Sequence, residues 1–257
     1  MSPQRDALFE RYAETHADFV DADAASSDER LRFFQDLVAA NYIEHMPDKH
    51  ARVLEVGCGK GYLLQALRQQ GFERLAGIDL SPANVAACRD RFGLASVELA
   101  DAPGYLGGRR GGFDVIVLKD VLEHVEKGAL SAFVGALRDG LADRGRLIVQ
   151  VPNMHWVAGL HERYMDLTHE VGFTRESLAQ LLRLHFDAVS VSRVQAIFPR
   201  SWKQQLVYRW IRPLYLRAYR LHLRLVSEGA EETWFECREI LAVCVKTPSG
   251  ERAPGLR

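Results

Sequence analysis

Val-Leu-Glu-Val-Gly-Cys-Gly-Lys-Gly occupies residues 53–61, and Gly77-Ile78-Asp79 follows one helix length later. The first stretch is an apolar strand that runs into a glycine-rich turn, and the second is an apolar strand that ends in an acid. A strand, a glycine turn, a helix and a second strand begin a parallel sheet whose carboxyl edge binds nucleotide-type ligands. We therefore expect an α/β protein with a nucleotide-type site at this edge.

The spacing of the glycines narrows the choice of ligand. A dinucleotide fingerprint is Gly-x-Gly-x-x-Gly, but here the third glycine, Gly61, comes one residue early and Tyr62 stands in its place. Glu55, two residues before the first glycine, would repel a pyrophosphate and attract an ammonium group. Asp79 can accept hydrogen bonds from both hydroxyls of a ribose. Together these residues suit an adenosine that carries a charged amino-acid tail.

These motifs resemble motif I and the following acidic motif of class I S-adenosylmethionine-dependent methyltransferases, and the resemblance covers roughly residues 30–195. It implies that the glycines line the methionine portion of S-adenosylmethionine, that Glu55 orients it and that Asp79 holds the ribose. Asp101, after the strand-like segment Ala95–Ala100, matches the acid that meets the adenine amino group. The residues expected to bind the cofactor are Glu55, Gly57, Cys58, Gly59, Gly61, Asp79, Leu80, Asp101, Ala102 and Lys119.

The alternation of apolar strands and helical segments predicts the fold class. It favours a doubly wound, mostly parallel sheet, and the resemblance implies seven strands with an antiparallel edge hairpin that carries a helical insertion. We expect an N-terminal helical cap over residues 1–46 and a methyltransferase domain over 47–198 and 228–247. A basic amphipathic insertion over 199–227 and a flexible tail over 248–257 complete the expected organisation.

Local signals place several helices. Periodic apolar residues predict a helix over Leu31–Met46 with Asp28 as its N-cap. Ser81, followed by Pro82, is expected to cap the helix after the second strand. Thr174 is expected to cap a helix that runs through Leu184.

Composition bounds the class of protein. The chain has 257 residues and a formal net charge of −1, which argues against a general nucleic-acid-binding protein. It contains no apolar run long enough for a membrane span, and its charged N-terminus does not resemble a signal segment. Its cysteines lack metal or disulfide spacing, which favours a reducing compartment. We expect a cytoplasmic protein, with the inner face of the membrane as a further site of action.

A cluster of polar residues marks the acceptor side. Asp120, Glu123 and His124 have the spacing of one face of a helical turn, and His169 comes five residues before Thr174. The spacing resembles a Glu-x-x-Glu-His metal cluster in small-RNA terminal ribose methyltransferases, and ubiquinone-pathway O-methyltransferases carry a related one. We therefore expect these four residues to bind Mg²⁺, Mn²⁺ or Zn²⁺. Two alternatives remain: His124 or His169 acts as a metal-free general base, or the cluster is structural.

The expected acceptor is a hydroxyl group. Asp166–Thr174 and the Val151-Pro152-Asn153 segment with Trp156 resemble bacterial methyltransferases of surface-polysaccharide and sugar pathways. They favour a sugar, glycan or lipid-linked acceptor. The alternatives are a quinone-like phenol, an RNA terminal ribose, a small amine, and a non-catalytic partner subunit with this fold.

The insertion over 199–227 is basic and aromatic. No acidic residue occurs between Ala188 and Ser227, and arginines alternate there with aromatic and leucine residues. This pattern suits an anionic membrane surface or an anionic acceptor, and equally a plain helical cap or a dimer contact. RNA is disfavoured because the chain lacks a broad basic footprint. The sequence does not indicate an oligomeric state.

Overall fold

The structure, a computed structural model, describes residues 27–226 and 234–248. The strands are β1 Val53–Val56, β2 Leu75–Asp79, β3 Val97–Leu99, β4 Phe113–Lys119, β5 Leu141–Pro152, β6 Ala188–Arg193 and β7 Glu239–Val245. The α-helices are α1 Ser27–Asn41, α2 Tyr62–Gln69, α3 Pro82–Phe92, α4 Ala102–Gly107, α5 Leu130–Gly140, α6 Gly159–Tyr164, α7 Arg175–Leu182, α8 Trp202–Leu206 and α9 Arg212–Val226.

The strands form one seven-stranded sheet in the order β3-β2-β1-β4-β5-β7-β6. The pairs among β1 to β5 are parallel, whereas β7 pairs antiparallel with both β5 and β6. The doubly wound sheet and its antiparallel edge are therefore confirmed. Because β1 and β4 are adjacent, the turns after them meet at the carboxyl edge, where the strand order reverses.

Successive residues of β1 separate the two faces of the sheet. Val53 packs in one apolar cluster with Leu37 and Tyr42 of the α1 side. Leu54 packs in the other cluster, with Leu137 of α5. Side chains alternate between faces along a strand, so these central parallel strands need apolar residues at consecutive positions, and β1 and β4 are buried on both faces.

The predicted helix caps have different outcomes. Ser81 accepts a hydrogen bond from the Asn84 amide, and Thr174 forms a reciprocal capping box with Ser177, so both caps are confirmed. The prediction of Asp28 as an N-cap is wrong, because Asp28 lies inside the first turn of α1. An acid there still favours the helix dipole. Residues 1–26 of the expected cap, 227–233 and 249–257 lie outside the described residues.

The insertion is helical across Pro213. A π-helical segment, Val207–Ile211, joins α8 to α9. A wider turn before a proline relieves the contact between its ring and the preceding carbonyl, so the helix continues through Pro213. Within the described parts of the chain, no helix has both the length and the hydropathy needed to cross a bilayer.

Candidate active site

A cavity of about 1230 Å³ opens at the carboxyl ends of the central strands. Its inner end is formed by the glycine turn after β1, the end of β4 and the start of β7. Its outer walls come from α1, from the segment after β6 and from the inner face of the insertion. The cavity thus extends from the glycine turn, where the cofactor is expected, to α1, the segment after β6 and the insertion.

Asp79 holds the glycine turn in shape. Its Oδ2 accepts a hydrogen bond from the Gly59 amide at 2.8 Å, and its Oδ1 accepts one from the Ser81 amide at 2.8 Å. Gly57, Gly59 and Gly61 all have positive φ, a region that favours glycine. A Cβ at Gly59 would meet no atom within 4 Å, so the turn leaves open space where a ligand can approach.

Glu55 is a buried carboxylate that faces the cavity. The residue is 3% exposed, and its Oε2 has no hydrogen-bond partner among the described residues. Burial, with the nearby Cys88 and Asp79, raises its pKa well above the usual range. An unpartnered buried carboxylate is costly unless a ligand satisfies it. An ammonium group such as that of the methionine portion of S-adenosylmethionine fits this position.

The residues expected at the adenosine end follow β2 and β3. Leu80 is about half exposed beside Asp79, and Ala102 is buried. The carboxylate of Asp101 accepts a hydrogen bond from the Gly104 amide at 2.8 Å and caps α4. Both acids are therefore partly engaged by backbone amides. Their contacts with ribose and adenine remain predictions.

A buried polar network includes three residues that line the floor of the cavity, Lys119, Asp120 and Glu239. Tyr42 Oη donates to Gln150 Oε1 at 2.5 Å, and Gln150 Nε2 donates to Glu239 Oε2 at 2.8 Å. Lys119 Nζ contacts Glu239 Oε1 at 3.4 Å and also binds Asp120. Lys119 and Asp120 are among the residues predicted from the sequence, whereas Tyr42, Gln150 and Glu239 are not. The available signal was polar residues, Gln150 and Glu239, within otherwise apolar strands.

Opposite charges stabilise one another in this floor. Burial alone would lower the pKa of Lys119, but the carboxylates of Asp120 and Glu239 raise it above its usual value. Burial raises the pKa of Glu239, and Lys119 opposes that effect. Asp120 has a positive φ of 54°, and its buried Oδ1 has no hydrogen-bond partner in the described part of the chain. The floor therefore presents a polar, charged surface toward the cavity.

Three of the four expected metal ligands come together. One potential ligand atom from each of Glu123, His124 and His169 lies within 4.8 Å of the others. Asp120 falls outside this group, contrary to the expectation of one helical face. Its backbone is left-handed and precedes the 3-10 turn Leu122–His124, so the assumed helical spacing does not apply, and Lys119 binds its carboxylate.

Hydrogen bonds fix the orientation of both imidazoles. His169 Nδ1 donates to the Glu162 carbonyl at 2.8 Å. Thr168 Oγ1 donates to Asp166 Oδ1 at 2.7 Å, so His124 Nδ1 is the donor in its 2.8 Å bond to Thr168 Oγ1. Each neutral ring therefore carries its lone pair on Nε2.

The same cluster contains an unsatisfied acid. Neither carboxylate oxygen of the buried Glu123 has a hydrogen-bond partner among the described residues. Burial and His169 lower the pKa of His124 to about 4, so this ring is neutral near pH 7. The imidazoles of His124 and His169 and the carboxyl group of Glu123 form a donor set of the kind that binds a cation.

The sequence profile of the methyltransferase domain family matches residues 10–188. Two curated relatives are named ubiquinone biosynthesis O-methyltransferase. The protein of Xylella fastidiosa (strain 9a5c) is 37% identical over 122 residues, which cover 45% of this chain and 48% of the relative. The protein of Azorhizobium caulinodans is 32% identical over 110 residues, covering 37% and 40%. The chain thus spans about half the length, or less, of these relatives.

Solved structures share the fold. A SAM-dependent methyltransferase from Archaeoglobus fulgidus has a TM-score of 0.65 at 18% identity, covering 91% of this chain and all of its own, 100%. The 1,6-didemethyltoxoflavin-N1-methyltransferase of Burkholderia thailandensis, solved with S-adenosylhomocysteine, has a TM-score of 0.58 at 19% identity, covering 96% and 92%. With the family profile, the glycine turn and the seven-stranded sheet, the chain belongs to the class I S-adenosylmethionine-dependent methyltransferase family.

Proposed function

We propose that this protein transfers the methyl group of S-adenosylmethionine to a phenolic hydroxyl of a quinone-like acceptor. One observation carries the proposal: a single cavity runs from the glycine turn to a wall that contains Trp156, Tyr208 and Leu216. The names of the curated relatives favour a quinone-type acceptor over the sugar that the sequence motifs favour. The transfer is an in-line displacement, in which the acceptor oxygen attacks the methyl carbon and the sulfur leaves.

The size of the cavity supports an aromatic acceptor. Ligand pockets commonly measure about 300–1,000 Å³, so a cavity of about 1230 Å³ has space for a ring beside the methionine portion of the cofactor. Trp156 and Tyr208 line its wall, and each ring has an arginine, Arg238 or Arg212, over one face, so a stacking acceptor would use the other face. Aromatic pairs stabilise one another by offset or edge contacts. The wall therefore suits an aromatic ring better than a highly hydrated chain.

The acceptor hydroxyl must lose its proton during transfer. Glu123, His124 and His169 are the residues that would hold a divalent cation, and the proposal is supported by the two Glu123 oxygens, which have no hydrogen-bond partner among the described residues. Such a cation would lower the pKa of a hydroxyl bound to it. The cluster itself does not line the cavity but begins three residues after Asp120, which does. The chain's own contribution is the orientation of both Nε2 lone pairs by Glu162 and Thr168.

The test is methyl transfer from radiolabelled S-adenosylmethionine to 4-methylcatechol, to sugars and to an RNA 3′ end. We expect methylcatechol to be methylated and the others not. We also expect a chelator to abolish transfer while S-adenosylhomocysteine still binds. His169→Ala should lose both activity and bound metal, whereas the control His161→Ala, at an exposed histidine of α6, should keep both.

Two results would count against this proposal. Full turnover in the presence of a chelator, with no metal in the purified protein, would refute the role of a cation and leave a metal-free general base as the mechanism. Methyl transfer to sugars without transfer to any phenol would refute the phenol acceptor in favour of a sugar. A sugar hydroxyl is the second candidate because Trp156 lies on the cavity wall, where its ring could stack on a pyranose face.

The outer face of the insertion supports a second proposal, that the protein docks on an anionic membrane. Large apolar side chains there are more than half exposed, and the same helices carry exposed arginines without acidic neighbours in sequence. A basic helix with an exposed apolar face suits the boundary of an anionic bilayer. The exposed apolar residues are Trp202, Trp210, Ile211, Leu214, Tyr215, Leu221, Leu225 and Val226.

Vesicle co-sedimentation tests membrane docking. Phosphatidylglycerol vesicles should bind the protein at low salt, and phosphatidylcholine vesicles should not. Burying one leucine contributes about 1.5–3 kcal/mol, so Leu225→Glu should weaken binding at least tenfold. Leu184→Glu, at an exposed leucine outside the insertion, is the matched control. If both variants and the wild type bound the vesicles equally well, the insertion would not be part of the membrane-docking surface.

A further inference from the structure

Arginines outnumber carboxylates at the outer end of the cavity. Arg193 and Arg220 approach the carboxylate of Glu236, whose side chain is 9% exposed, and Arg212 donates to the backbone carbonyl of the same residue. Arg193, Arg212 and Glu236 line the cavity. Three guanidinium groups near this one carboxylate leave a local excess of positive charge, since arginine stays protonated in proteins.

The contacts show which arginines satisfy Glu236. Arg220 Nη2 lies 2.9 Å from Glu236 Oε1, and Arg193 Nη2 lies 3.6 Å from the same oxygen. The other oxygen, Oε2, is buried and has no hydrogen-bond partner within the described ranges. The charge of Glu236 is therefore balanced by Arg220, while Arg193 is only loosely engaged.

Arg212 makes the weakest polar contact of the three. Its Nη2 donates to the Glu236 backbone carbonyl at 3.4 Å, and its guanidinium lies 4.9 Å from the centre of the Tyr208 ring. The ring supports the flat face of the guanidinium but leaves its N–H donors available. A half-buried arginine that lines a cavity and has no carboxylate partner in the described structure is suited to bind an oxyanion bidentately.

We propose that this outer end is an anion subsite, in which Arg212 and Arg193 bind a carboxylate or phosphate carried by the acceptor. The proposal rests on the proposed function, because it assigns a charged group to the same acceptor. It places that group at the end of the cavity away from the glycine turn, where the anionic group is separate from the hydroxyl that is methylated.

The experiment compares two probes that differ at one substituent, 3,4-dihydroxybenzoate and 4-methylcatechol, by calorimetry with S-adenosylhomocysteine present. A hydrogen-bonded charge pair predicts roughly tenfold tighter binding of the carboxylate probe. Arg212→Gln should remove the difference, and Arg193→Gln should reduce it. Arg217→Gln, at an exposed arginine of the same helix, should leave it unchanged. Unaltered affinity for S-adenosylhomocysteine confirms that each variant is folded.

Equal affinity for the two probes, or no measurable binding of the carboxylate probe, would overturn the proposal. The proposal would also fail if the Arg212→Gln variant no longer bound phosphatidylglycerol vesicles but still bound 3,4-dihydroxybenzoate, because the anion that Arg212 recognises would then be a lipid headgroup. Methyl transfer is measured in parallel. If the two probes differ in affinity in an Arg212-dependent way but neither is methylated, the anion subsite stands and the phenol acceptor is refuted. If both probes are methylated but bind with equal affinity, the phenol acceptor stands and the anion subsite is refuted.

Discussion

Replacing Glu55 by glutamine tests the cofactor site most directly. The carboxylate is buried and its Oε2 has no hydrogen-bond partner among the residues that the structure describes, so an ammonium group that reaches it forms a desolvated charge pair. Removing one partner of such a pair costs about 2–3 kcal/mol, since the ligand charge is then left poorly compensated. Glu55→Gln should therefore weaken S-adenosylhomocysteine binding roughly 100-fold.

The raised pKa of Glu55 adds a second signature. In the free protein this carboxyl holds its proton to a higher pH than usual, because burial disfavours the charge. Binding an ammonium group stabilises the ionised form, so the complex forms with release of a proton. Affinity should fall as pH decreases through the free-protein pKa, by up to about one log unit per pH unit. The glutamine variant should show no such dependence on this group.

Isothermal titration calorimetry in buffers of different ionisation enthalpy measures both quantities. The exposed acid Glu44 provides the control, and Glu44→Gln should bind like the wild type. The assignment of Glu55 to the ammonium group would be refuted if the Glu55→Gln variant bound S-adenosylhomocysteine as tightly as the wild type and the wild type released no proton on binding.

The remaining predictions concern the glycine turn and the edge of the sheet. Gly59→Ala should abolish S-adenosylhomocysteine binding, whereas Gly93→Ala, with a similar positive φ and open surroundings, should only lower the free energy of unfolding by about 1 kcal/mol; calorimetry and thermal melts separate the two. Asp114→Asn should lower the free energy of unfolding by about 1 kcal/mol, because the Arg52 guanidinium contacts both carboxylate oxygens at 2.7 and 3.0 Å on a partly exposed surface. Arg52 lowers the pKa of Asp114 below its ordinary 3.8, so this contribution is complete above that pH and disappears as pH falls through the lowered pKa. Urea unfolding at pH 7 and pH 3 should show the gap between wild type and variant closing in acid, and a constant gap would contradict the assignment.

Local sequence signals predicted the fold well. The glycine turn, the serine before Pro82 and the threonine before α7 each act through hydrogen bonds between near neighbours, and such contacts depend little on the rest of the molecule. The antiparallel edge followed from the resemblance rather than from any local pattern. The Asp28 cap was wrong because Asp28 lies within α1 rather than at its N-cap position, and a spacing pattern places a helix end only to within a residue or two.

The candidate site was predictable only in part, because much of it depends on long-range pairing. Glu239 reaches the cavity floor through the antiparallel pairing of β7 with β5, which sequence spacing does not reveal. Tyr42 joins the same network from beyond α1. Asp120 lies outside its expected cluster, because its backbone is left-handed, with φ of 54°, and the assumed helical spacing does not apply. The arginine cluster around Glu236 likewise unites β6, α9 and the segment before β7.

The insertion has two faces whose roles can change separately over evolution. Arg212 and Leu216 of α9 line the cavity, whereas Leu214, Leu221 and Leu225 of the same helix point away from it. If both proposals hold, mutations on the inner positions would alter acceptor preference, whereas mutations on the outer positions would alter membrane docking. A hairpin graft that exchanges only the outer positions should therefore relocate a methyltransferase of this fold without changing its product.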